Sequence, residues 1–124
     1  MPQPEINDIA EITREPRNYG FHATLKPPMS LANGTNWNDV QHAVQTTAAN
    51  IAPFDLPPLA VTDLRGFLAL RETIPCPPLQ ALADACVEQL DPFRQPPSED
   101  ELARRRKARL SQEQDAMLVR WGYP

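Results

Sequence analysis

The chain is predicted to fold as an α+β domain, an antiparallel sheet with helices packed on one side, and three observations lead there. Residues Tyr19 to Lys26 alternate strictly between apolar and polar side chains, the period of a half-buried strand. Two further runs rich in strand-forming residues, Leu59 to Leu64 and Phe67 to Arg71, flank Gly66. The stretches between them carry apolar residues at helical spacing and stop at proline pairs. The order read in this way is β, α, β, β, α, α, α.

Each element has its own local reason. Ile6 to Thr13 reads as a short helix or a frayed lead-in, ended by Pro16. The alternating strand follows and meets Pro27-Pro28, which cannot donate to a ladder. Asn33-Gly34 makes a turn, and Thr35 or Asn36 caps a helix whose inward face is expected to hold Trp37, Val40, Val44, Ala48 and Ile51. The two runs around Gly66 suggest a tight hairpin, although Arg65-Gly66 is a weak turn signal. From Leu79, a stripe of Leu79, Leu82, Ala83, Cys86, Val87 and Leu90 marks an amphipathic helix. Ser98 to Glu101 and Ser111 to Gln114 read as two capping boxes, each opening a further helix. In the second of these, Met117, Leu118 and Trp121 lie together before Gly122 ends the helix.

Composition bounds the function classes. The 124 residues, 41% hydrophobic and 23% charged, suit one small domain spanning 1–124 with a modest core. The fifteen prolines fall at element boundaries and form no low-complexity tract, so no flexible linker is expected. A net charge of −4 argues against non-specific coating of nucleic acid and leaves a small basic pocket possible. Cys76 and Cys86 have no metal-ligand spacing and read as reduced thiols. With no basic-apolar leader and no run long enough to span a bilayer, the expected location is the cytoplasm, without membrane association.

The chemistry concentrates in the first strand. Alternation puts Tyr19, Phe21, Ala23 and Leu25 on one face and Gly20, His22, Thr24 and Lys26 on the other. An imidazole that moves protons near neutral pH, a hydroxyl and an ammonium on one face are the equipment for handling a phosphate oxygen. On spacing alone, the competing reading is an ordinary half-buried strand whose histidine has no partner. His42 lies off the apolar stripe of its helix and is a poor second imidazole. The cations Arg104, Arg105, Arg106, Lys107 and Arg109 follow Glu99, Asp100 and Glu101, an order that offsets the helix macrodipole and reads as a solvated structural helix.

Several blocks taken together carry a family resemblance. Arg17 to Pro28, Gly66 to Leu70, Glu101 to Arg106 and Arg120 to Pro124 occur in the order seen in an uncharacterised branch of the two-histidine phosphoesterases, named for its association with phosphonate-metabolism genes. The chain resembles that branch over nearly its whole length. The resemblance implies a hydrolase of phosphodiesters or cyclic phosphates built from two similar lobes, each giving one His-x-Thr or His-x-Ser strand to a shared cleft. One imidazole then deprotonates water, the other protonates the leaving oxygen, and the hydroxyls steady the phosphate, with no metal or other cofactor required. Carried over, His22 is one acid or base and Thr24 its phosphate-binding hydroxyl, with Lys26 and, more weakly, Arg17 as phosphate-binding cations. Only one such motif is present, so the resemblance implies a partial domain, with an open sheet edge through which two copies could pair. The implied partner is a small phosphorylated substrate, a nucleotide or sugar cyclic phosphate. Two other readings stay open: a non-catalytic module binding nucleotides or RNA ends, and an interaction protein using the Arg104 to Arg109 helix.

Overall fold

The computed structural model describes residues 6–124. Among these residues it shows an α+β arrangement of one two-stranded antiparallel sheet and five helices. In chain order these are α1 (Ile9–Ile12), α2 (Trp37–Ala49), β1 (Leu59–Asp63), β2 (Leu68–Glu72), α3 (Pro77–Leu90), α4 (Glu99–Arg106) and α5 (Gln112–Trp121). Single 3₁₀ turns occupy Pro16–Asn18 and Asp91–Phe93.

The hairpin forms as expected, and its loop explains why the signal was weak. Arg65 and Gly66 both take positive φ, 58° and 89°, as a two-residue type I′ connection requires. Leu64 N–H donates to Phe67 O at 2.7 Å, and the Gly66 N–H donates to the Asp63 carboxylate at 2.6 Å. Arginine at the first position is strained there, because an L side chain in the left-handed region costs about 1–2 kcal/mol and asparagine tolerates it better. Arg65→Asn is therefore expected to raise stability by about 0.5–1 kcal/mol, read as a higher urea midpoint at unchanged slope. An unchanged midpoint would mean that the loop is not held in this conformation.

The strand expected at Tyr19 to Lys26 does not form. Among the described residues the only ladder joins β1 to β2, and Tyr19 to Lys26 has no place in it. A strand needs a neighbour for its backbone donors and acceptors, and alternation of side chains supplies none. The expected apolar face stays in water accordingly: Phe21 is 88% exposed, and of that face only Leu25 is half-buried. Downstream the chain regains partners. Ala32 N–H donates to Phe93 O at 2.9 Å and Gln95 N–H to Ser30 O at 2.8 Å, around an isolated antiparallel bridge between Leu31 and Arg94.

Helix α2 starts where expected. Asn36 accepts from the Asp39 N–H at 3.1 Å, and the Asp39 carboxylate accepts from the Asn36 N–H at 3.0 Å. Its buried face is rotated from the expected one. Val40 and Thr47 are buried and Ala43 half-buried, whereas Trp37 and Val44 are exposed. The helix packs on α3 along a narrow seam, and Thr47 belongs in it because its hydroxyl donates to Gln89 Oε1 at 2.9 Å. In α3 the expected stripe holds: Leu79, Leu82, Ala83, Cys86 and Val87 are half-buried and Leu90 is buried. Pro77 and Pro78 open that helix, where their missing N–H groups need no partner.

The last two caps differ. Ser111 and Gln114 exchange both bonds of a capping box, at 3.1 and 2.9 Å. Ser98 accepts from the Glu101 N–H at 3.2 Å, but the Glu101 carboxylate turns to Arg105 instead, so the first box is half made. Leu118 of α5 is fully buried and, with Val40 and Leu90, forms the small apolar core. Cys76 and Cys86 are free thiols.

Gly122 ends α5 at φ 77°, its N–H donating to Leu118 O at 2.8 Å. A Cβ there would lie 2.7 Å from Arg94 Nη1. Gly122→Ala is thus expected to cost about 2–3 kcal/mol, from the left-handed backbone and from displacing a hydrogen-bonded guanidinium. Denaturant unfolding checks this, and a loss below half that value would show Arg94 free to move aside.

Candidate functional site

His22 and Thr24 are both exposed. Gly20 precedes them at φ 73°, and its carbonyl lies 3.0 Å from His22 Nδ1. A carbonyl only accepts, so the Nδ1–H donates in this contact and the neutral ring keeps its Nε2 lone pair free. Tyr19 meets the imidazole edge-on, with ring centres 5.6 Å apart and planes at 88°. The ring is therefore oriented from two sides while Nε2 stays able to take a proton. Arg17, in the 3₁₀ turn just upstream, is exposed.

Lys26 does not join this group. Its ammonium donates to Val87 O at 3.2 Å, a residue of α3, and so anchors the histidine segment to that helix. Burial pulls its pKa below the usual lysine value and Arg94 pulls the same way, while Asp91 and Cys86 oppose them. The sequence puts Lys26 on the His22 and Thr24 face of a regular strand; without a strand, its long stem reaches the other way.

The strongest electrostatic feature was not legible beforehand. Asp91 accepts from Arg94 Nε at 2.8 Å and from Arg120 Nη1 at 3.0 Å, and Arg94 Nη2 donates to Arg120 O at 3.1 Å. The Asp91 and Arg94 side chains are only 16% and 11% exposed. Burial pushes the Asp91 carboxyl up, but hydrogen bonds from both arginines and the charges of Arg94 and Lys26 outweigh it, leaving its pKa below the usual carboxylate range. The i, i+3 spacing of Asp91 and Arg94 was the one available hint; Arg120 arrives only through the fold.

An open hollow of about 440 Å³ lies beside this cluster, lined by Ser30, Arg94, Ser98, Glu101, Arg105 and Gly122 among others. The resembling blocks at Glu101 to Arg106 and Arg120 to Pro124 converge here, whereas His22 and Thr24 are not among its lining residues. Its charges are largely spent on each other: Arg105 bonds Glu101 at 3.2 Å and Arg94 bonds Asp91. Arg106 of α4 is committed in the same way, bonded to both carboxylate oxygens of Asp115 on α5. Among the described residues no cluster of three or more His, Cys, Asp or Glu is arranged to hold a metal, and no helix is long and apolar enough to cross a membrane.

Residues 24–124 match the family described as a protein of unknown function, DUF1045. The chain belongs to the DUF1045 family. The matched region begins at Thr24 and takes in Lys26, the Asp91 cluster and the hollow, while Arg17 and His22 fall just before it. Two curated relatives are each named ribose 1,5-bisphosphate phosphokinase PhnN. One, from Janthinobacterium sp. (strain Marseille), is 40% identical over 116 residues, covering 94% of this chain and 26% of that protein. The other, from Laribacter hongkongensis (strain HLHK9), is 35% identical over 106 residues, covering 86% of this chain and 24% of that protein. This DUF1045 chain thus spans about a quarter of the length of the relatives it matches. No solved structure matches it.

Proposed function

We propose that this DUF1045 chain carries one half of a two-histidine phosphoesterase site, linked to phosphonate metabolism, that opens a phosphodiester or cyclic phosphate. The observation that carries this reading is the exposed His22 ring, fixed through Nδ1 on the Gly20 carbonyl with Nε2 left to solvent. In that state Nε2 takes the proton from an attacking water, or returns one to a departing oxygen when charged. Thr24 donates its hydroxyl to a non-bridging oxygen, and Arg17 supplies positive charge from the preceding turn. Lys26 serves by holding the segment against α3 and reaches phosphate only by giving up its bond to Val87. The second acid-base group comes from outside these residues.

The name of the two relatives favours a sugar phosphate over a nucleotide. Ribose 1,5-bisphosphate is a phosphorylated pentose, and opening a cyclic phosphate on a pentose phosphate leaves a sugar bisphosphate. The test is to offer a cyclic phosphate of ribose, with and without a chelator, to this chain and to a version extended as in the longer relatives. Phosphorus NMR should show the cyclic diester replaced by a monoester, slowly with the short chain, faster with the extended one, and indifferent to chelator. No monoester from either protein overturns the reading. Salt-sensitive binding of short RNA without turnover would favour the non-catalytic module instead.

A further inference from the structure

Among the described residues nothing pairs with either edge of the hairpin, and one of its faces is largely apolar. From the register, Leu59, Val61, Leu68 and Leu70 share one face, with the charged Asp63 and Glu72 at its two ends, and the four apolar residues are 42%, 70%, 70% and 46% exposed. The donor pattern locates the free edge. Leu64 N–H bonds Phe67 O and Thr73 N–H bonds Pro58 O, so alternation turns the N–H and C=O groups of Leu68, Leu70 and Glu72 away from β1. The outer edge of β2 holds no proline, whereas β1 is entered through Pro57-Pro58. A two-stranded hairpin in water is marginal by itself.

Magnitude identifies the occupant. The chain exposes 10356 Å², about 3,700 Å² more than the roughly 6,700 Å² of a compact monomer of its mass. Even a large obligate dimer interface removes only about 1,000–2,500 Å² from each partner, so a second copy leaves much of this surface uncovered. Domain-scale packing by further polypeptide covers it, and the two relatives carry about three-quarters of their length outside the stretch matched here. We infer that the outer edge of β2 receives a strand from polypeptide outside residues 1–124, and that the same added layer covers Leu59, Val61, Leu68 and Leu70. This rests on hydrogen-bond geometry and area and is independent of any role for His22.

Amide hydrogen exchange tests it, on this chain and on the full Janthinobacterium relative, with ultracentrifugation of both. In this chain the Leu68, Leu70 and Glu72 amides should exchange as free groups, while Ala69 and Arg71, bonded to β1, are slower. At the matching positions of the relative the first set should slow by about 100-fold or more, as paired strand amides do. Unprotected outer amides in the relative overturn the proposal. So does protection of those amides in the short chain together with a doubled mass, which would mean that a second copy takes the edge. Should the short chain not hold its hairpin, proline at the position matching Leu70 in the relative still decides: added-strand pairing predicts lost protection at the neighbouring outer amides, and unchanged protection overturns it.

Discussion

His22→Ala, in a form of the protein extended to supply the second acid-base group, is expected to lower kcat by about 10²–10⁴-fold with KM little changed, the usual loss when one proton-transfer group is removed. In the proposed reaction the ring would accept or give a proton at Nε2, and the Nδ1 contact with Gly20 O favours the tautomer that leaves the Nε2 lone pair open. His22→Gln keeps a polar side chain and should not rescue turnover, which separates proton transfer from simple hydrogen bonding. Steady-state turnover of a ribose cyclic phosphate reads both variants. Unchanged kcat in His22→Ala would remove this residue from the chemistry.

The second large effect concerns stability. Asp91→Ala leaves Arg94 buried without its anion and Lys26 beside it without a counter-charge, so a loss of about 2–4 kcal/mol is expected, the scale of breaking a buried pair. Arg120 is mostly exposed and can return to water, which keeps the figure below the upper end for fully buried clusters. Against typical stabilities of about 5–15 kcal/mol this is a major fraction. The pH dependence follows from the direction of the shift. Because the folded carboxyl titrates below its unfolded value of about 3.9, its contribution is complete above that pH and is lost as pH falls through the lower folded pKa. Wild-type protein should therefore lose stability on acidification below about pH 4, with a shallower decline in Asp91→Ala. Adding Arg94→Met should recover part of the loss, since the buried guanidinium, the larger of the two unpaired cations, is then gone and only Lys26 lacks its counter-charge. Equal unfolding midpoints for wild type and Asp91→Ala would show the cluster to be solvated and energetically idle.

Local physics was readable wherever an element satisfies itself. The α2 cap needs only Asn36 and Asp39, the α5 box only Ser111 and Gln114, and the hairpin closes between Leu64 and Phe67 across a two-residue loop. The α3 stripe held because one helix face meets the rest of the molecule along its whole length. The α2 stripe was misjudged by the rotation between Val44 and Thr47, a choice made by Gln89 on another helix. The His22 segment was misjudged for a related reason: alternation describes two faces but provides no ladder.

Sequence alone determined the α+β class, the helix starts, the hairpin and the proximity of His22 to Thr24, since each follows from bonds or periodicity within a few residues. Tertiary structure alone decided that Lys26 reaches Val87, that Asp91 gathers Arg94 and an arginine 29 residues further on, and that no other described strand pairs with β2 on its outer edge. Those outcomes depend on which distant groups arrive to share a charge or a backbone hydrogen bond, and only the packed chain brings such groups together.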